Sequence, residues 1–368
     1  AISERVAAGS QAVSVTFTTN DGTTATNLTL TTDLATLPVG WSSASTSFTC
    51  ATVSTGTGCQ LQLMFAPAVL TSGTLVLNYS YTDDAGTAKT GPAVSIAYAA
   101  APPPHLYVAQ LNGPLLACAL NNDGTLASCA PTGNGFTQPT GIAFYGASYA
   151  YVADYASSSV FLCSVAADGT LSLCSSTGSN FQMPWQLAVQ GTTLYASNAA
   201  VTGGVTTCTI ATADGTLSGC TQSVGTGTAG IAADANWAYL GVGPTSVNVC
   251  AAGAAGALSG CAATGSGFSA LDGISLSNGY AYIANEGAAS VSVCTISTTD
   301  GSLSACAASS VGSNPTDVAF DGTRAYVADF AAAHMNYCAV GNNGALGGCA
   351  VSDGGTTFNV PMNQIAIH

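Results

Sequence analysis

Basic side chains are almost missing. Arg5, Lys89 and Arg324 are the only three in 368 residues, against 17 aspartates and glutamates, for a net charge of −14. So few cations could not neutralise a run of phosphates, which excludes nucleic acid as a partner. Electrostatic attachment to anionic lipid is excluded on the same ground. Charged residues of either sign make up 5% of the chain, far below the roughly one quarter usual in soluble domains. The polar surface must therefore come from Ser, Thr, Asn and Gly. Long apolar runs are lacking too: none approaches the ~18 residues of a membrane-crossing helix, so no membrane insertion is expected. No basic, apolar leader stands at Ala1, so an exported protein is expected here in processed form. A helical period is not found anywhere. Disorder is excluded because 48% of the residues are apolar and they are patterned.

Cysteine, by contrast, is plentiful. Fourteen is an even number, which points to an oxidising compartment and a secreted, extracellular or cell-surface location. Twelve fall into six pairs: Cys118/Cys129, Cys163/Cys174, Cys208/Cys220, Cys250/Cys261, Cys294/Cys306 and Cys338/Cys349. The first members recur at intervals of 45, 45, 42, 44 and 44 residues, the period of one propeller blade. Each unit holds four short apolar stretches bounded by turn residues, which reads as four strands. The third and fourth are joined by Asp123-Gly124, Asp168-Gly169, Asp214-Gly215 and Asp300-Gly301, with Ala255-Gly256 and Asn343-Gly344 in the other two. These dipeptides suit tight hairpin turns, so each hairpin should bring its cysteines directly opposite each other and clamp them, at about 3 kcal/mol for a loop of this size.

The first unit opens at His105 without a first strand, while Pro361–His368 is a surplus strand matching Pro139–Phe144 and Pro315–Phe320. Placing the surplus strand in the first unit predicts an all-β, six-bladed β-propeller over residues 105–368, closed by its C-terminal strand. The stretch Asn314-Pro-Thr-Asp-Val-Ala-Phe-Asp-Gly-Thr-Arg-Ala-Tyr-Val-Ala-Asp329 resembles the YVTN/NHL-type propeller repeat. That resemblance covers residues 105–368 and implies the fold, not an activity. Cysteines in every blade depart from the family pattern.

Residues 1–98 lack the repeat and alternate instead: Val13, Val15, Phe17; Leu28, Leu30; Leu61, Leu63, Phe65; Leu75, Leu77; Val94, Ile96, Tyr98. Six or seven strands in this length predict an Ig-like sandwich, with a seventh disulfide between Cys50 and Cys59. The stretch Cys59-Gln-Leu-Gln-Leu-Met-Phe-Ala-Pro67 followed by Ser72-Gly-Thr-Leu-Val-Leu77 resembles hydin-type Ig-like domains of bacterial surface proteins. Residues 99–104, ending in three prolines, read as a short stiff linker.

Chemistry is harder to find. The residues ending successive second strands are Gln110, Asp154, Asn198, Val242, Asn285 and Asp329. Asp154, Asn198, Asn285 and Asp329 are the candidate Ca²⁺ ligands, as in six-bladed lactonases. Equally, Asp or Asn after a strand hydrogen-bonds its own turn. His105 and His368 fall on adjacent strands and read as a closure feature. No G-x-S-x-G, H-E-x-x-H or phosphate-binding loop occurs. Phe136, Phe181, Phe268 and Phe358 recur at equivalent sites, either as plugs between blades or as a platform for sugar rings or another subunit.

These readings predict a non-enzymatic extracellular structural protein that assembles into a cell-surface fibre or layer without a resident cofactor. The assembly contact would be the arm Ala1–Gly9, with Ala1, Ile2 and Val6, or an edge of the sandwich. The alternatives are an adhesin whose propeller face reads a glycan or surface protein, and a lactonase-type hydrolase.

Overall fold

The computed structural model describes every residue except 1, 6–9, 56–58, 70, 102, 122, 224–227, 254–255 and 360. The chain divides into two compact units, Ala1–Pro103 and Pro104–His368.

Alternation of apolar and polar residues builds the first unit. In Gln11–Thr16, Gln60–Phe65 and Ser72–Leu77 the inward residues Val13, Val15, Leu61, Leu63, Phe65, Leu75 and Leu77 are buried while their neighbours are mostly exposed. They form one core with Trp41, whose ring lies 5.0 Å from that of Phe65. The strands number ten among the described residues rather than six or seven. The surplus comes from short pieces such as Ile2–Arg5, Trp41–Ser43 and Ala88–Thr90. Ile2–Arg5 lies parallel to Val94–Ala101, with Ile2 opposite Tyr98 and packed against the core. Strand Val94–Ala101 runs into the stretch read as linker, because Ala99 still pairs with Ser72. The unit therefore ends at Pro103 rather than at residue 98. Cys50 and Cys59 are bonded.

The second unit repeats one pattern. Among the described residues it holds six four-stranded antiparallel sheets. The second sheet is Pro139–Tyr145, Tyr149–Asp154, Ser159–Val165 and Leu171–Thr177, and the third to sixth follow the chain in the same way. The first sheet is completed differently: His105–Gln110, Leu116–Leu120 and Leu126–Pro131 take Met362–Ile367 from the other end of the chain. His105 and His368 exchange both backbone hydrogen bonds, at 2.8 and 3.0 Å, and the His368 ring stacks on Phe144 at 4.4 Å. The inner strands Pro139–Tyr145, Pro184–Gln190, Thr228–Ala233, Leu271–Ser277, Pro315–Phe320 and Met362–Ile367 touch one another in cyclic order. A sheet whose inner strand meets both neighbours in a ring is the arrangement of a β-propeller.

The outer hairpins turn where Asp-Gly stands. Asp168 Oδ1 accepts hydrogen bonds from the Thr170 N–H and hydroxyl at 3.0 and 2.6 Å. Asp123, Asp214 and Asp300 repeat the arrangement with Thr125, Thr216 and Ser302. Gly169 and Gly301 take φ of 79° and 70°, where a Cβ would be strained.

The sheet disulfides join the expected partners: Cys118 to Cys129, Cys163 to Cys174, Cys208 to Cys220, Cys250 to Cys261, Cys294 to Cys306 and Cys338 to Cys349. Their Cα atoms lie 3.9–4.1 Å apart. The expected direct opposition needs correcting, however. Only Cys118 and Cys129 face each other in regular register, with the shift following at once. In the other five sheets the ladder shifts at the third-strand cysteine itself, so Cys174, Cys220, Cys261, Cys306 and Cys349 are bonded across an irregularity. The extra residue of such a bulge increases the local twist of the hairpin. Burial also differs within each pair. Cys118, Cys163, Cys208, Cys250, Cys294 and Cys338 are buried between sheets. Their outer-strand partners Cys129, Cys174, Cys220, Cys306 and Cys349 are half-buried, and Cys261 is exposed, because the fourth strand is the rim of the ring.

A tyrosine then ties sheet to sheet. The hydroxyls of Tyr107, Tyr151, Tyr239 and Tyr282 donate to the turn carbonyls of Gly169, Gly215, Gly301 and Gly344, each in the next sheet, at 2.7, 2.5, 2.9 and 3.0 Å.

Candidate functional site

Inner strands begin, and second strands end, at the same end of the ring. Of the residues that follow the first of each inner strand, Trp185, Ala229 and Asp272 line a cavity there, whereas Thr140, Thr316 and Asn363 are buried. In chain order that column reads Thr140, Trp185, Ala229, Asp272, Thr316 and Asn363. Trp185 and Asp272 meet across it: the indole Nε1–H donates to Asp272 Oδ1 at 2.9 Å. Tyr155, just past the end of Tyr149–Asp154, stands edge-on to Trp185, with ring centroids 5.7 Å apart and planes at 75°. Together with Val201, Pro244, Leu271 and Glu286 these groups line a cavity of about 600 Å³, the size of a small-molecule site.

Beneath the cavity the channel is closed by side chains. The next residue of each inner strand is Gly141, Gln186, Gly230, Gly273, Asp317 and Gln364: three without a side chain, three with a polar one. Gln364 Oε1 accepts from the Ile142 and Leu187 N–H groups, both at 2.9 Å, and its Nε2 donates to the Leu187 carbonyl. Gln186 Oε1 accepts from Ile231 N–H at 3.2 Å, and Asp317 Oδ2 from Ile365 N–H at 3.0 Å. The glycines are what admit these chains. A Cβ on Gly141 would stand 2.9 Å from Gln364 Oε1 and 2.7 Å from the Trp185 carbonyl.

The electrostatics follow from depth. Asp272 sits deep in the propeller yet keeps part of its surface open to the cavity. Burial pushes its carboxyl up to about 7; the Trp185 hydrogen bond works against this, and the nearby Glu286 charge adds to it. Asp317, wholly enclosed one layer below, is held well above the carboxylate range by burial, opposed by the Ile365 N–H. A carboxyl that changes state near neutrality beside an aromatic wall can take up and return a proton.

The residues singled out by sequence lie elsewhere. Asp154 accepts from the N–H groups of Thr137, Gln138 and Ser157. Asn198 Oδ1 accepts from Gln182 N–H at 2.9 Å, and Asn285 Oδ1 from Ser269 N–H at 3.1 Å. Asp329 accepts from Ser313 and Asn314 N–H at 2.6 and 3.1 Å. Each pins the loop entering its own sheet's inner strand, and among the described residues no three His, Cys, Asp or Glu come together as a metal site. The phenylalanine platform needs correcting. Phe181, Phe268 and Phe358 are buried and Phe136 is half-buried against Phe161, because each fills the gap between adjacent sheets. Of the arm residues, Ile2 packs on its own unit's core, whereas Ala1 and Val6 lie outside the described residues. Trp185, Asp272 and Tyr155 escaped the sequence reading. For Trp185 and Asp272 the signal was the second residue of each inner strand, and for Tyr155 the residue just past a second strand, columns legible only once the six units are stacked.

No family model matches the chain, and no curated protein does. Solved structures do. A chain of the nidogen/laminin complex aligns at 14% identity and a TM-score of 0.53, over 72% of this chain and 98% of that one. The periplasmic gluconolactonase PpgL of Pseudomonas aeruginosa aligns at 18% identity and a TM-score of 0.53, over 81% and 99%. A putative 6-phosphogluconolactonase of Bacteroides fragilis aligns at 17% and 0.49, over 81% and 97%. At these identities the likeness is one of fold, a β-propeller. It overturns the expectation of a non-enzymatic protein, since a gluconolactonase is among the proteins that share the fold.

Proposed function

We propose that this chain is an exported six-bladed propeller, closed by its C-terminal strand and preceded by an Ig-like domain, that binds and hydrolyses a small lactone of the sugar-acid kind at its channel mouth. The observation that carries this reading is the Tyr155–Trp185 corner set over the recessed Asp272 carboxyl. An aromatic face suits the apolar side of a sugar-like ring. Ionised Asp272 takes a proton from water as the water oxygen bonds to the lactone carbonyl carbon. The ring C–O bond then breaks, and the proton passes to the departing ring oxygen, leaving a hydroxy acid. A phosphorylated substrate does not fit. Among the residues lining the cavity there is no Lys, Arg or His, so nothing there would neutralise a phosphate.

The test is proton release from D-glucono-1,5-lactone in a pH-stat, corrected for spontaneous opening. The wild-type protein should accelerate it and Asp272→Asn should lose about 10²-fold or more. A wild-type rate equal to buffer overturns the reading.

A second reading concerns assembly. Strand Ile2–Arg5 occupies a sheet edge in parallel register with Val94–Ala101. The same strand supplied by another copy would join subunits at a cell surface through the same backbone bonds.

A further inference from the structure

Resting on the reading of the channel mouth as a lactone site, we infer that the lactone it prefers carries a positive charge: an amino-substituted ring whose ammonium group is held between Asp272 and Glu286 with its apolar face on Trp185.

Four observations converge. Two carboxyl side chains, Asp272 and Glu286, line one cavity, and the Glu286 charge is felt at Asp272. Two like charges placed together are relieved by a cation between them. Asp272 Oδ1 is committed to the Trp185 indole, but Oδ2 takes no hydrogen bond from any described residue, which leaves an acceptor open to the cavity. Tyr155 and Trp185 meet edge to face, presenting a π surface to a cation. Most of the remaining wall is apolar, from Val201, Pro244 and Leu271.

No Lys or Arg is among the residues that line the cavity. Arg324, 3.8 Å from Asp321, opens a second strand and so stands at the end of the ring away from the mouth. The acidic groups around Asp272 are Glu286 beside it and Asp317 one layer below, and both favour a positive ligand. Ammonium binding should strengthen between pH 6 and 8 as Asp272 ionises, while an uncharged ring should bind equally across that range.

The experiment follows the Trp185 indole N–H by NMR, assigned with Trp185→Phe, during titration with trans-4-aminocyclohexanol, cyclohexane-1,4-diol and D-glucono-1,5-lactone. The amine stays protonated from pH 6 to 8, and the diol differs from it only in that group. We expect the amine to bind at least ~10-fold more tightly than the diol. Asp272→Asn and Glu286→Gln should each erase that preference while Tm stays near the wild-type value. Equal binding of amine and diol, with the lactone still shifting Trp185, overturns the charge inference alone. A Trp185 signal that none of the three moves overturns both this inference and the lactone site beneath it.

Discussion

A tyrosine hydroxyl in the second strand of a sheet finds its acceptor 62 to 64 residues further along the chain. The repeated Tyr107, Tyr151, Tyr239 and Tyr282 are legible in sequence as a column of aromatic residues inside an apolar strand. Their partners are not, because the acceptor is a glycine carbonyl and carries no side-chain signal. Burial raises the pKa of all four phenols above its usual value, so they stay neutral donors near neutral pH. Tyr239→Phe keeps the ring but leaves the Gly301 carbonyl buried without its donor, which should cost about 1–2 kcal/mol in urea unfolding. An unchanged midpoint would show that water takes the place of the phenol. The catalytic proposal rests on the same scale and was invisible for the opposite reason. Asp272 is one of 17 acidic residues, and what sets it apart is its place in the cavity wall against Trp185.

Among the elements, hairpins were the most legible. Period-two alternation, Asp-Gly turns and cysteines 11 or 12 positions apart are all local, so the outer two strands of every sheet could be drawn without knowing the rest. Their exact register could not: whether Cys174 or Cys261 stands square to its partner depends on a bulge that alternation alone does not announce. Edges were less legible still. Strand Val94–Ala101 overran residue 98 because its last alanines gain partners on both sides, Ser72 and the segment Ile2–Arg5, neither visible from the stretch itself. Of the two readings of the phenylalanines, the plugs hold and the platform does not, since a loop residue's burial depends on the neighbouring sheet. The clamps belong to this scale. Replacing Cys294 and Cys306 together by alanine opens a 12-residue link and should lower stability by ~2–3 kcal/mol. Amide exchange should quicken first in Leu303–Ser310, the outermost strand of that sheet. Uniform exchange across all four strands would mean that the bond merely duplicates the hairpin.

Taken whole, the molecule keeps its net charge of −14 with two Lys/Arg ion pairs among the described residues. Few charges in such a surface orient one copy against another, and the strand edge at Ile2–Arg5 offers backbone bonds instead. If copies exchange the strand Ile2–Arg5, the full chain should show concentration-dependent species in sedimentation, and removal of residues 1–9 should abolish them. A monomer at every concentration sinks that reading. Architecture at this scale was written in the spacing of the cysteines, whereas the channel's content was not: a ring converts six distant positions into one wall, and a linear reading sees them one at a time.

The pairing of His105 with His368 has a mechanical side. Because the two backbones run antiparallel and meet at these residues, tension applied between residues 104 and 368 would pull both ends from the same side. Load then falls on one hydrogen-bonded pair after another rather than on all at once, and Met362–Ile367 peels away like a zip. Beyond that opening, each released sheet could lengthen only by the chain outside its disulfide, since the hairpin between paired cysteines stays shut. Under stretching the unit would part early and at low force, yet release its length in short, covalently limited steps.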